Sequence, residues 1–131
     1  MIEKIINKNQ ILAIILRANY KSEGIEFFTP NNFSQQLGYM NRPKGHQIQP
    51  HLHNNIIRTV EYTNEVLFIK SGKVKVNFYD ENKVFLKSET LEKGDFILLA
   101  KGGHGFEMLE TSEMIEIKQG PYAGDSDKTR F

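Results

Sequence analysis

Four histidines and no cysteine set the chemistry open to this chain. Without Cys there is no thiolate nucleophile, disulfide framework, iron–sulfur cluster or Cys-ligated zinc. Any bound metal falls to His, Asp or Glu. His51 and His53 are one residue apart, and on a strand positions i and i+2 point to the same face. Two imidazoles side by side can share one metal ion, or they can form the solvated face of a strand. Glu65 opens the apolar run Glu65–Ile69 and shares its parity with Leu67 and Ile69. If those two face the core, Glu65 points inward and needs a partner, because an unpaired buried charge is costly. A strand-end salt bridge to Arg58 is the alternative. His104 follows Gly102-Gly103 and shares a face with Phe106 and Met108, as a ligand or as a core histidine.

These residues must be held by short elements. Turn signals recur along the whole chain, among them Thr29-Pro30-Asn31-Asn32, Arg42-Pro43-Lys44-Gly45, Ser71-Gly72, Asp80-Glu81-Asn82 and Glu92-Lys93-Gly94-Asp95. The gaps suit strands better than helices. In Lys73–Tyr79, Val74, Val76 and Phe78 alternate with Lys73, Lys75 and Asn77, which predicts a half-buried strand with Lys83–Lys87 as its hairpin partner. Phe96–Leu99 reads as a strand buried on both faces. Glu113–Gln119 alternates with Ile115 and Ile117 inward. Ile5–Arg17 fits a short N-terminal helix or a strand. The whole predicts a mainly β protein, a sandwich or barrel.

Composition narrows the partners. Seventeen Lys and Arg oppose 16 Asp and Glu for a net charge of +1, which gives no electrostatic case for nucleic acid or an anionic membrane. The longest early apolar run, Ile11–Leu16, is far short of the ~20 residues of a membrane span. No secretory signal is legible, so a cytoplasmic protein is expected. At 15.1 kDa a single domain is expected, exposing roughly 7,000 Å² when folded.

The ordered set of residues resembles the cupin superfamily. Its first motif is Gly, five residues, His-x-His, a short gap, Glu, six residues, Gly. Here Gly45 is followed by five residues and His51-Leu52-His53, and Glu65 by six residues and Gly72. The gap between them is longer, Asn54–Asn64, and Glu61 is a rival carboxylate. The second motif is matched by Gly94-Asp95 and Gly102…His104-Gly105-Phe106-Glu107, with Ala100 where the motif has Pro and Met108 where it has Asn. The resemblance covers about Gly38 to Ile117, which would be the core of one 1–131 domain. Residues 1–37 would supply N-terminal strands or a helix, and 118–131 a C-terminal tail.

The resemblance implies an all-β double-stranded β-helix, a jelly roll, with a divalent transition metal (Zn, Mn, Fe, Ni or Cu) held by His51, His53, Glu65 and His104. The family hosts many activities; the first expectation here is an enzyme on a small polar substrate such as a sugar or sugar acid, with isomerase or epimerase chemistry. Glu61 or Tyr39 would be the proton-transfer group. Thr59, Glu61 and Thr63 share the parity of Glu65 if a regular strand leads to it, and Thr59, Thr63, Arg58, Phe106 and Met108 would line the substrate. A non-catalytic ligand-sensing protein and an Fe(II) dioxygenase are the alternatives. A metal-free pocket like that of the deoxysugar epimerases needs a His–Asp pair, and no such spacing is seen. The tail carries Tyr122 and Phe131, so it either frays or covers the mouth or a partner. A homodimer is expected, because small jelly rolls leave sheet edges that need covering.

Overall fold

A computed structural model describes all 131 residues. The chain is mainly β, with ten strands and no α-helix. Strands β1 (Ile2–Asn7) and β2 (Gln10–Leu16) form a hairpin. The helix open to Ile5–Arg17 is thereby excluded. Its β-branched Ile residues favour strands, and Lys8 and Asn9 turn the chain at φ 49° and 63°. Two residues at positive φ are what a tight hairpin loop requires, and Asn tolerates that region well.

The remaining strands are β3 (Gly24–Phe27), β4 (Gly38–Asn41), β5 (Glu65–Ser71), β6 (Lys73–Tyr79), β7 (Phe85–Glu92), β8 (Phe96–Leu99), β9 (Gly103–Met108) and β10 (Glu113–Lys118). Sheet order is β1-β2-β8-β5-β10 in the larger sheet and β7-β6-β9 in the smaller, with β3-β4 a separate hairpin. The sheets are not closed into a barrel. Gly72 joins β5 to β6 at φ 87°, and a Cβ there would strike the Thr111 carbonyl and Ser112.

The core lies between the two larger sheets. Ala13, Ile15, Leu67, Ile69, Ile97 and Leu99 meet Val74, Val76, Phe78 and Leu91. Each large side chain buried in this way contributes about 1.5–3 kcal/mol. The predicted alternation of β6 is what places its three apolar residues here. A second cluster covers the outer face of the larger sheet: Ile14, Leu16, Val66 and Leu98 pack under Phe28 and Leu37. Strands β2 and β8 are therefore buried on both faces, as the unbroken apolar run Phe96–Leu99 predicts.

Strand β10 corrects the expected parity. Met114, Glu116 and Lys118 pair with Ile69, Leu67 and Glu65, and so lie on the inner face. Ile115 and Ile117 face outward and are about half exposed. Alternation fixes which residues share a face, but pairing to β5 decides which face is inside. Residues 42–62 form no strand and are exposed throughout.

Arg17 closes one end of the sandwich. Its Nε donates to Glu3 Oε1 at 2.8 Å, and its Nη1 to Asp95 Oδ2 at 3.0 Å and to the Thr90 carbonyl at 2.7 Å. Asp95 also accepts the backbone N–H of Ala18 and of Glu92, each at 2.9 Å. Strands from both sheets are tied at this point. The hydrogen bond from Arg17 holds the Glu3 carboxyl below its ordinary value. A depressed carboxylate stabilises the fold above its unfolded value and loses that contribution as pH falls through the folded one. Arg17→Met should therefore cost about 3 kcal/mol at neutral pH by leaving buried Asp95 unpaired. The difference between wild type and Glu3→Gln in urea unfolding should narrow as pH falls below the ordinary carboxylate range.

Candidate functional site

The opposite end of the sandwich is open. Glu65 begins β5 and His104 lies near the start of β9, so the two sheets present them to each other. The His104 Nε2 lies 2.6 Å from Glu65 Oε1. Leu67 and Ile69 are buried in the core, and the two-residue period of the strand carries Glu65 inward with them. Phe106 packs against the core, and the same period turns His104 inward, with ring centroids 5.5 Å apart.

A second carboxyl stands near the pair. Glu116 on β10 pairs with Leu67, one step along the inner face from Glu65, and the two carboxyls influence each other. The hydrogen bond with His104 is the main cause that lowers the Glu65 carboxyl to about 2, against the opposing effect of burial. Glu116 is pushed up, first by the neighbouring Glu65 carboxylate and then by burial. Two carboxylates close together resist losing both protons, so the two shift in opposite directions: His104 holds Glu65 down, and Glu65 pushes Glu116 up.

Glu65 and His104 lie on the wall of a cavity of about 670 Å³. Tyr62, Tyr79, Lys101 and Lys118 also line it. The C-terminal segment closes one side. Asp127, in the short 3-10 turn Gly124–Asp127, accepts a hydrogen bond from Thr63. Phe131 lies edge-on to Tyr79 with ring centroids 5.1 Å apart. It sits so close to Gly103 that a Cβ there would lie 2.9 Å from the ring. The tail thus reaches the mouth through Phe131, which packs on Tyr79 and Gly103 with one side still exposed, while Tyr122 is almost fully exposed.

The structure brings together some of the predicted site residues and separates others. Glu65, His104 and Thr63 line the cavity. His51 and His53 lie side by side on the exposed segment with ring centroids 5.4 Å apart, and the His51 Nδ1 is 2.9 Å from the Gln49 carbonyl. The four predicted ligands stand as two pairs, and no three His, Asp or Glu side chains gather in a geometry able to hold a metal. Arg58, Thr59 and Glu61 are also exposed in the 42–62 segment, where the regular strand assumed for their parity does not form. Tyr39 packs in the outer cluster, 5.1 Å from the Tyr20 ring. Met108 lies at the far end of β9, opposite Val74. The sequence reading missed Glu116 and Lys118 because it turned Ile115 and Ile117 inward. The register of β10 on β5 was the missing signal.

Removing the Glu65 carboxylate strands His104. Glu65→Ala should lower stability by about 1–3 kcal/mol in urea unfolding. Glu61→Ala, on the exposed segment, should stay within about 0.5 kcal/mol of wild type.

No family model, no curated protein and no solved structure matches this chain, so its chemistry is read from its own side chains.

Proposed function

We propose that this chain is a cupin-like enzyme that moves a proton on a small, oxygen-rich substrate such as a sugar or sugar acid. The observation that carries this reading is the His104–Glu65 pair at 2.6 Å on the wall of a polar cavity. A His–carboxylate pair is the arrangement a metal-free epimerase pocket requires, here with Glu in place of Asp. With Nε2–H donated to Glu65, the ring keeps Nδ1 as its free acceptor. Nδ1 removes the proton from a carbon next to a carbonyl, and Glu65 steadies the imidazolium that forms. An ammonium such as Lys118 or Lys101 stabilises the developing oxyanion. Return of the proton to the neighbouring carbon completes an isomerisation, and delivery of a proton from solvent or a second acid to the opposite face of the same carbon completes an epimerisation. The two-motif cupin resemblance, with its jelly-roll expectation, supports the same reading from the sequence. The matching measurement is solvent deuterium uptake into candidate sugars and sugar acids. Uptake at the carbon beside the carbonyl, lost in His104→Asn, is the expected result. Tight binding of a sugar with no uptake of deuterium would make the protein a sensor instead.

A divalent-metal reading has its own support in the paired rings of His51 and His53. Imidazoles and a carboxylate suit Zn, Mn, Fe, Ni or Cu. It requires residues 42–62 to carry His51 and His53 to Glu65 and His104. Metal analysis of protein purified without added metal decides between the two. One equivalent per chain, lost in His51→Ala and in His104→Ala, would replace the metal-free reading. Fe(II) oxygenase chemistry would then be a further option.

The same reading includes a homodimer. The surface measures 9599 Å² against roughly 7,000 Å² expected for this mass. Residues 42–62 are exposed throughout, Ile48, Leu52, Ile56 and Ile57 among them. A second copy packed on this segment would cover them. Light scattering should give twice the chain mass, and a monomer at high micromolar concentration would contradict it.

A further inference from the structure

The cavity is lined by five cations, Lys83, Lys101, Lys118, Lys128 and Arg130. None of them forms an ion pair within 4.0 Å; of the four acidic side chains on the same walls, Glu65 lies 2.6 Å from His104, while Asp80, Glu81 and Asp127 have no cationic partner either. Asp127 accepts a hydrogen bond from the neutral Thr63 hydroxyl. Asp80 accepts the backbone N–H of Asn82 at 2.8 Å and of Val84 at 2.9 Å. Two of the lysines rest on aromatic faces instead: Lys101 lies 5.8 Å from the Tyr62 ring centroid, and Lys83 lies 5.9 Å from that of Phe131. Among the lining side chains, five cations without an ion partner thus face three carboxylates without one, a small local excess of positive charge in a chain that is nearly neutral overall. Cations gathered in a concave site raise the local concentration of an anion.

The cations come from two places. Lys101 and Lys118 sit at the ends of the rigid sandwich, beside β8 and β10. Lys128 and Arg130 come from the C-terminal segment, which is pinned by the Thr63–Asp127 hydrogen bond and by Phe131 on Tyr79. Gly103 leaves the space that Phe131 fills.

We propose that the cavity takes a small anionic ligand, a phosphate or carboxylate compound, and that the C-terminal segment is the clamp that grips it. Lys128 and Arg130 close on the anion from the strap, while Lys101 and Lys118 meet it from the walls. The inference rests on the cavity being the substrate site and names the charge of that substrate. Guanidinium and ammonium donors suit both phosphate and carboxylate, so the two sources share one site chemistry.

Calorimetry on the full chain at low salt tests this with pyrophosphate, citrate, glucose 6-phosphate, gluconate and glucose. Glucose 6-phosphate or gluconate should bind at least about tenfold more tightly than glucose, a difference of roughly one charge-assisted contact. The first winning identifies a phosphate ligand, the second a carboxylate. The double variant Lys128→Gln/Arg130→Gln should weaken the better anion by about tenfold or more, while Lys4→Gln, on β1, should leave it unchanged. Folding of the strap variant is checked by its urea midpoint, since both side chains are exposed. Equal binding of glucose and the anions would overturn the proposal. So would a strap variant indistinguishable from Lys4→Gln, or no anion binding at about 10 mM. Anion binding without deuterium uptake would remove the proton-transfer reading and leave the clamp standing. Uptake from a neutral sugar with no anion binding would do the reverse.

Discussion

The two-residue period of β5 is the constraint on which the open end of the molecule depends. Leu67 and Ile69 are almost wholly buried against the smaller sheet. A strand that buries both must turn Glu65 inward as well, because a shift of one residue would expose the whole set. Glu65 is then a carboxylate at the rim of an apolar core, and its cost falls only if donors meet it there. His104 from the opposite sheet does so, 2.6 Å away. The Glu65–His104 pair is thus a consequence of packing: the core fixes β5, and β5 delivers the carboxylate.

The two ends of the sandwich solve the same problem differently. At one end Arg17 gathers Glu3, Asp95 and the Thr90 carbonyl, and Asp95 takes two backbone N–H groups in addition. Nearly every polar atom there has a partner within the chain, so that end is a clasp. At the other end His104 has only one ring nitrogen engaged by Glu65, and five cations have no ion partner. An end whose hydrogen-bonding capacity is left over is one that a ligand can use. The C-terminal segment lies across this end and adds two of those cations.

Much of this was legible in the sequence, and the reasons for the failures are specific. The alternation of Val74, Val76 and Phe78 identified β6, and the parity of Glu65 with Leu67 and Ile69 identified an inward carboxylate. Both rest on local periodicity, which one strand displays by itself. The pairing of Glu65 with His104 spans two sheets and was visible only as a shared ligand role, not as a hydrogen bond. Glu116 and Lys118 were missed because an alternating strand reads the same from either face. Only the Lys118↔Glu65 register shows that Ile115 and Ile117 are outside. The N-terminal Ile run was ambiguous for a related reason. Strands buried on both faces lose their alternation, and β2 lies between two clusters. Thr59 and Glu61 were placed by extending a strand backward through residues that do not form one.

The central claim is that Glu65 and His104 form one hydrogen-bonded unit. Long-range 1H–15N NMR of the four imidazoles, in wild type and in Glu65→Gln, tests it most directly. The account predicts a proton on His104 Nε2 held by Glu65, and ring signals of His104 that move in the variant while those of His46, His51 and His53 do not. A His104 whose signals ignore the substitution, or move no more than those of the three exposed histidines, would contradict it.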